Sequence, residues 1–166
     1  MKKLSVLFTA VLLFVAASTV SAQKVASLDV NAILNLMPEK KKADETLEAL
    51  SKTKGAEIEK RRNDAEALYK KYQEEAPKQT QQVNEQRGAE LQKAQEQIQA
   101  LMQAAQKDIA EKTDAAYAPI EKKFQAAVDK VAKANGYDFV LDGNSNVLIY
   151  KGGADATPAV KKELGL

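Results

Sequence analysis

The sequence predicts an α+β protein: a long antiparallel helical hairpin projecting from a small β-rich body that other copies of the chain complete. Three observations predict it. Charged residues make up 29% and aromatics only 5% of the 166 residues, and Ala, Gln, Glu and Lys dominate the middle of the chain, which is the composition of long exposed helices. Apolar residues in that middle recur at three, four and seven residue steps on both sides of Pro77. Five of the seven glycines (Gly136, Gly143, Gly152, Gly153, Gly165) lie in the last 31 residues, where short apolar runs replace the periodic pattern.

The chain has no Cys, His or Trp. That composition excludes disulfide frameworks, thiolate nucleophiles, Cys/His zinc sites, haem-ligating histidines and His-based triads.

Met1, Lys2 and Lys3, the uncharged run Leu4 to Ala17 and the small-residue ending Val20-Ser21-Ala22 read as a secretory signal peptide over residues 1–22, cleaved after Ala22. The apolar run is shorter than the roughly 20 residues of a spanning helix. The formal +2 charge, 25 basic against 23 acidic residues, then belongs to the precursor, because Lys2 and Lys3 carry the whole excess.

In chain order, Lys24 to Asp29 reads as a strand, and Asp29 as the cap of a brief helical turn over Val30 to Met37. Pro38 opens a helix to about Glu75, with a stripe of Ala43, Leu47, Leu50, Ile58, Ala65, Leu68, Tyr69 and Tyr72. Pro77 ends it, and a second helix runs from about Val83 to Asn135, stopped by Gly136. Its stripe includes Leu91, Ile98 and Ala105, one heptad apart. Counting outward from a tip near residue 78 places Pro119 opposite Glu39, where an internal Pro is expected to kink the helix at the root of the arm. Tyr137 to Asp142 and Val147 to Tyr150, around the turn-forming Gly143-Asn144-Ser145-Asn146, read as a β-hairpin. Thr157 caps and Pro158 starts a last helix to about Leu164.

Apparent chemical motifs dissolve on inspection. Asp142-x-Asn144-x-Asn146 resembles the start of a calcium loop, but Val147 stands where Gly is needed and Gly153 where the bidentate Glu belongs. Ser51-Lys52-Thr53-Lys54 fits Ser-x-x-Lys without the companion elements of that enzyme class. No cofactor site and no convergent catalytic groups are found, so the reading is not an enzyme.

Both faces of the predicted strands are apolar, and so thin a helical stripe cannot bury itself in one chain. Several copies are therefore expected to share a core that includes Val25, Leu28, Phe139, Leu141, Val147 and Ile149. Ordered segments carry a resemblance: Lys24-Val-Ala-Ser-Leu-Asp-Val, Met37-Pro-Glu-x-Lys-Lys, Ala118-Pro-Ile, Val131-Ala-Lys-Ala-Asn-Gly-Tyr-Asp-Phe-Val-Leu-Asp142 and Thr157-Pro-x-Val-Lys-x-x-Leu164. Together they resemble the Skp/OmpH family. The resemblance implies a homotrimer with a β-body (residues 23–38 and 120–166) and helical arms (residues 39–119). It also implies an ATP-independent periplasmic holdase for unfolded outer-membrane β-barrel precursors, whose alternating apolar strands aggregate in water.

Lys60, Arg61, Arg62, Lys70, Lys71 and Lys78 on the distal arm are candidate contacts for such clients or for acidic lipid or lipopolysaccharide headgroups. Asp64, Glu66, Glu74 and Glu75 dilute that charge, and an ordinary mixed-charge helix surface is the competing reading. Nucleic-acid binding would need a cleaner basic face. The alternative function is a structural coiled-coil spacer or adaptor of the cell envelope.

Overall fold

The computed structural model describes residues 23–146 and 148–166. The signal peptide reading and Val147 lie outside the described residues. Elements follow in the order β1 (Val25–Leu28), α1 (Val30–Leu34), α2 (Pro38–Glu75), a 3-10 turn (Ala76–Lys78), α3 (Gln81–Asn135), β2 (Phe139–Asp142), β3 (Ala154–Asp155) and α4 (Thr157–Leu164). No helix among the described residues is long and apolar enough to cross a membrane.

Local chemistry explains most boundaries. The Asp29 carboxylate accepts the Ala32 N–H at 2.8 Å and caps α1. Pro38 begins α2, where its missing N–H costs nothing. The Thr80 hydroxyl accepts the Val83 N–H at the start of α3, and Gly136, at φ 65°, ends that helix in the left-handed conformation that favours glycine. Helix α3 runs without interruption through Pro119.

The sheet differs from the hairpin expected from the sequence. All strands are parallel, in the order β2-β1-β3, with Val25 beside Phe139, Ser27 beside Leu141 and Ala26 beside Ala154. The turn itself forms, with the Asn144 N–H donating to the Asp142 carboxylate at 2.9 Å. Residues 148–150 do not form a strand. β1 takes β2 on one edge and β3 on the other, so the chain after Asp142 must return along the sheet to begin β3 parallel to β1.

A second correction concerns α4. Thr157 is its first residue rather than its cap, and the Thr157 hydroxyl accepts the Asp29 N–H at 2.9 Å. Ala156 stands at the cap position, and the Asp155 carboxylate just before it accepts the Thr157 N–H at 2.9 Å.

The core is small. Ala26 and Leu28 of β1 pack with Ile33 of α1, Ala127, Val128 and Val131 of α3, and Ala156 and Val160, while Phe124, Tyr137, Val140 and Leu164 lie against them. The C-terminal turns of α3 therefore belong to the body, and they are apolar on the face they bury. Met37, at the entry to α2, is fully buried.

Candidate functional site

Two surfaces stand out: the seam and flanks of the α2–α3 pair, and the uncovered face of the sheet. The helices are antiparallel. Fifteen residues forward from Glu39 to Lys54 are matched by fifteen back from Lys123 to Asp108, and Lys54 to Glu75 is matched by Asp108 to Arg87. Glu39 thus meets Lys123 rather than Pro119, one turn from the sequence count, because the turning point lies after the 3-10 turn rather than near residue 78. Half-buried positions along α2 (Ala43, Leu47, Leu50, Lys54, Ile58, Ala65, Leu68, Tyr72, Glu75) alternate by three, four or seven residues, as a coiled-coil seam requires.

Polar groups fill gaps in the apolar stripe. Lys54 pairs with Asp108 at 3.0 Å between Leu50 and Ile58. Near the tip Arg87 pairs with Glu75 and lies 4.5 Å from the centre of the Tyr72 ring, whose hydroxyl donates to Glu90 at 2.6 Å. At the root Lys40 pairs with Asp44 at 2.7 Å, the Tyr117 hydroxyl donates to the same carboxylate, and Lys123 pairs with Glu39. The hydrogen bond from Lys40, then that from Tyr117, holds the Asp44 carboxyl below its ordinary range, and the bond to Asp44 raises Tyr117. Lys123 lowers Glu39 likewise. Sequence periodicity missed Lys54, Arg87 and Asp108 because only apolar residues were counted. Charged residues standing at seam positions of opposite sign are the signal that could have found them.

Midway along the pair, clefts of about 390 and 540 Å3 flank a shared layer of Ala65 and Ile98. Arg61 lines the first, with Leu68, Ala94 and Leu101, and Arg62 the second, with Tyr69, Leu91 and Met102. Lys60 and Lys71 are exposed. Lys70 pairs with Glu66 at 2.7 Å, which raises Lys70 and lowers Glu66. Lys78 lies in the 3-10 turn. The six cations are thus spread along the arm, and three of them face acidic neighbours or apolar clefts.

The sheet has one covered and one open face. Leu28 is 3% exposed and belongs to the chain's own core, as do Ala26 and Val140 on the same face. On the other face Val25 is 43%, Phe139 50% and Leu141 41% exposed. The return segment crosses this face, so that Leu148 and Tyr150 line a cleft with Val25 and Leu141 while Ile149 is fully exposed. Parallel sheets are ordinarily covered on both sides. This one is covered on one and only partly shielded on the other. The return loop is pinned to the opposite layer at its start, because the Asn144 side-chain amide donates to the Asp29 carboxylate at 2.6 Å. That bond and, more strongly, the Ala32 N–H lower Asp29.

No carboxylates among the described residues cluster in a way that could hold a metal ion. None of the curated proteins compared matches the chain. Among solved structures, the chain is similar to that of a candidate outer membrane chaperone (OmpH-like) from Caulobacter crescentus CB15, at 19% identity and a TM-score of 0.71, over 87% of this chain and 85% of that one. At this identity the likeness speaks to the fold. The family model "Outer membrane protein (OmpH-like)" matches residues 24–164, nearly all of the described chain, and the chain belongs to that family.

Proposed function

We propose that the chain is a periplasmic, ATP-independent holdase that assembles as a homotrimer and shields unfolded outer-membrane β-barrel precursors between its helical arms. The family supports a role with outer-membrane proteins, and the solved relative is itself described as a candidate chaperone. The observation that carries the reading is the pairing of an incomplete sheet with a long helical arm. Val25, Phe139 and Leu141 present an apolar face that a second and third copy would cover. The α2 helix, about 57 Å long by its 38 residues, has no fully buried residue of its own.

In this reading residues 23–38 and 120–166 form the shared body and residues 39–119 the arm. Pro119 removes one backbone hydrogen bond near the root and is where the arm bends relative to the body. Three arms of mixed charge around one space make many weak contacts with an extended chain and select no single sequence. Release then requires only a better partner, such as the membrane, and no nucleotide. Exposed cations such as Lys60 and Lys71 add attraction to acidic clients or to lipopolysaccharide headgroups.

The test is to dilute a urea-unfolded outer-membrane barrel into buffer with and without the protein and follow light scattering. Suppression at about one trimer per barrel supports the reading. Unchanged scattering in the presence of folded protein overturns it.

A further inference from the structure

From Gln92 the helix α3 carries a ridge of uncharged amides, Gln92, Gln95, Gln99, Gln103 and Gln106, spaced three or four residues apart and all exposed. Gln95 and Gln99 form one wall of the 540 Å3 cleft whose apolar lining is Tyr69, Leu91, Ile98 and Met102. Gln92 donates locally to Glu96. Across this layer the Arg62 guanidinium donates to the Met102 sulfur at 3.2 Å, while the ion-pair clasps between the helices lie away from it, at Glu75–Arg87, Lys54–Asp108 and the root.

The spacing has a counterpart in an extended polypeptide. Residues four apart on a helix rise about 6 Å, and the peptide groups on one edge of a strand repeat every two residues, about 6.6 to 6.8 Å. A primary amide offers both a donor and an acceptor, as a peptide group does. From Leu91 to Met102 the cleft runs about 16 Å, the length of roughly five extended residues, of which alternate side chains face one way. One Arg and one Glu, Arg62 and Glu66, line the cleft, so it favours neither charge.

We propose that this strip binds a single extended apolar segment of an unfolded polypeptide, its alternate side chains in the Leu91–Ile98–Met102 cleft and its backbone edge on Gln95, Gln99 and Gln103. The inference rests on the holdase reading and names where on the arm the client's strand-forming segments lie.

The experiment measures binding of a fluorescently labelled, urea-unfolded eight-stranded outer-membrane barrel to the whole protein by anisotropy. Binding to wild type is compared with that to the triple variant Q95A/Q99A/Q103A and to the control Q82A/Q86A nearer the tip. Gln to Ala favours the helix, so folding is preserved, as circular dichroism checks. Losing three weak hydrogen bonds lowers affinity by about tenfold, while the control stays at wild type. Y69S, an exposed change in the same cleft, weakens binding in the same direction. If wild type binds and the triple variant binds equally, or the control loses as much, the strip is not the site. If wild type does not bind, the holdase reading itself has failed.

Discussion

Placing a carboxylate on the open sheet face is the sharpest perturbation of the proposed assembly, and Leu141→Asp is the change to make. Val25, Phe139 and Leu141 are each about half exposed in the single chain. Fully burying such a side chain is worth about 1.5 to 3 kcal/mol, so covering what remains contributes about 1 kcal/mol at each position, roughly 3 kcal/mol per chain. Asp at 141 forfeits one of these shares and leaves an unpaired charge in the covered interface, at a cost of several kcal/mol. The combined loss, on the order of 4 kcal/mol per chain, weakens association by about a thousandfold. The chain's own core lies on the other face of the sheet, around Leu28 and Ile33, so helix content should persist. Sedimentation velocity across a concentration series gives the answer. A monomer with wild-type circular dichroism is expected, and an L141D protein that keeps the wild-type mass would refute the placement of the interface.

Other outcomes follow from the same geometry. Ile33, fully buried in the small core, should lose about 2 to 5 kcal/mol as I33A, read as a lowered urea midpoint. Gly136 holds φ 65° at the end of α3, and G136A should cost about 1 kcal/mol by the same measurement. The carboxyls of Asp29, Glu39, Asp44 and Asp155 are lowered in the fold, so the unfolded chain binds their protons more readily. Their contribution is complete above the ordinary carboxylate pKa of about 4 and is lost as pH falls through the lowered values. Tyr117 is raised and acts with the opposite sign, stabilising below about pH 10 and losing that contribution as pH climbs through its raised value. Urea midpoints should therefore stay level from pH 7 to about 5 and drop below about 4, with a shallower drop in D44N. An unchanged midpoint down to pH 2 would contradict the role of these clasps.

The helices were legible because their signals are local. Pro38, Gly136 and the three-and-four spacing between them fix where α2 begins, where α3 ends and which faces meet. The pairing of β2 was not, since β1 lies more than 110 residues earlier and its choice of β2 and β3 as parallel neighbours leaves no trace near Gly143–Asn146. Correct turn chemistry there was compatible with a hairpin, and only the distant strand decides against it. The same holds for Thr157, a good cap by residue type that serves Asp29 instead. Of the candidate surface residues, Val25, Phe139 and Leu141 share one face because β1 and β2 lie in parallel register. Leu28 belongs to the opposite face, which residue-by-residue apolarity could not distinguish from theirs. The seam charges Lys54 and Arg87 were hidden for the opposite reason, being polar residues in positions a hydrophobic count skips.

Native mass spectrometry of residues 23–166 mixed with an equimolar, urea-unfolded outer-membrane barrel tests the central claim most directly. The account expects three chains alone and three chains with one barrel in the mixture. A single chain in both spectra, or a trimer that never carries the barrel, would contradict it.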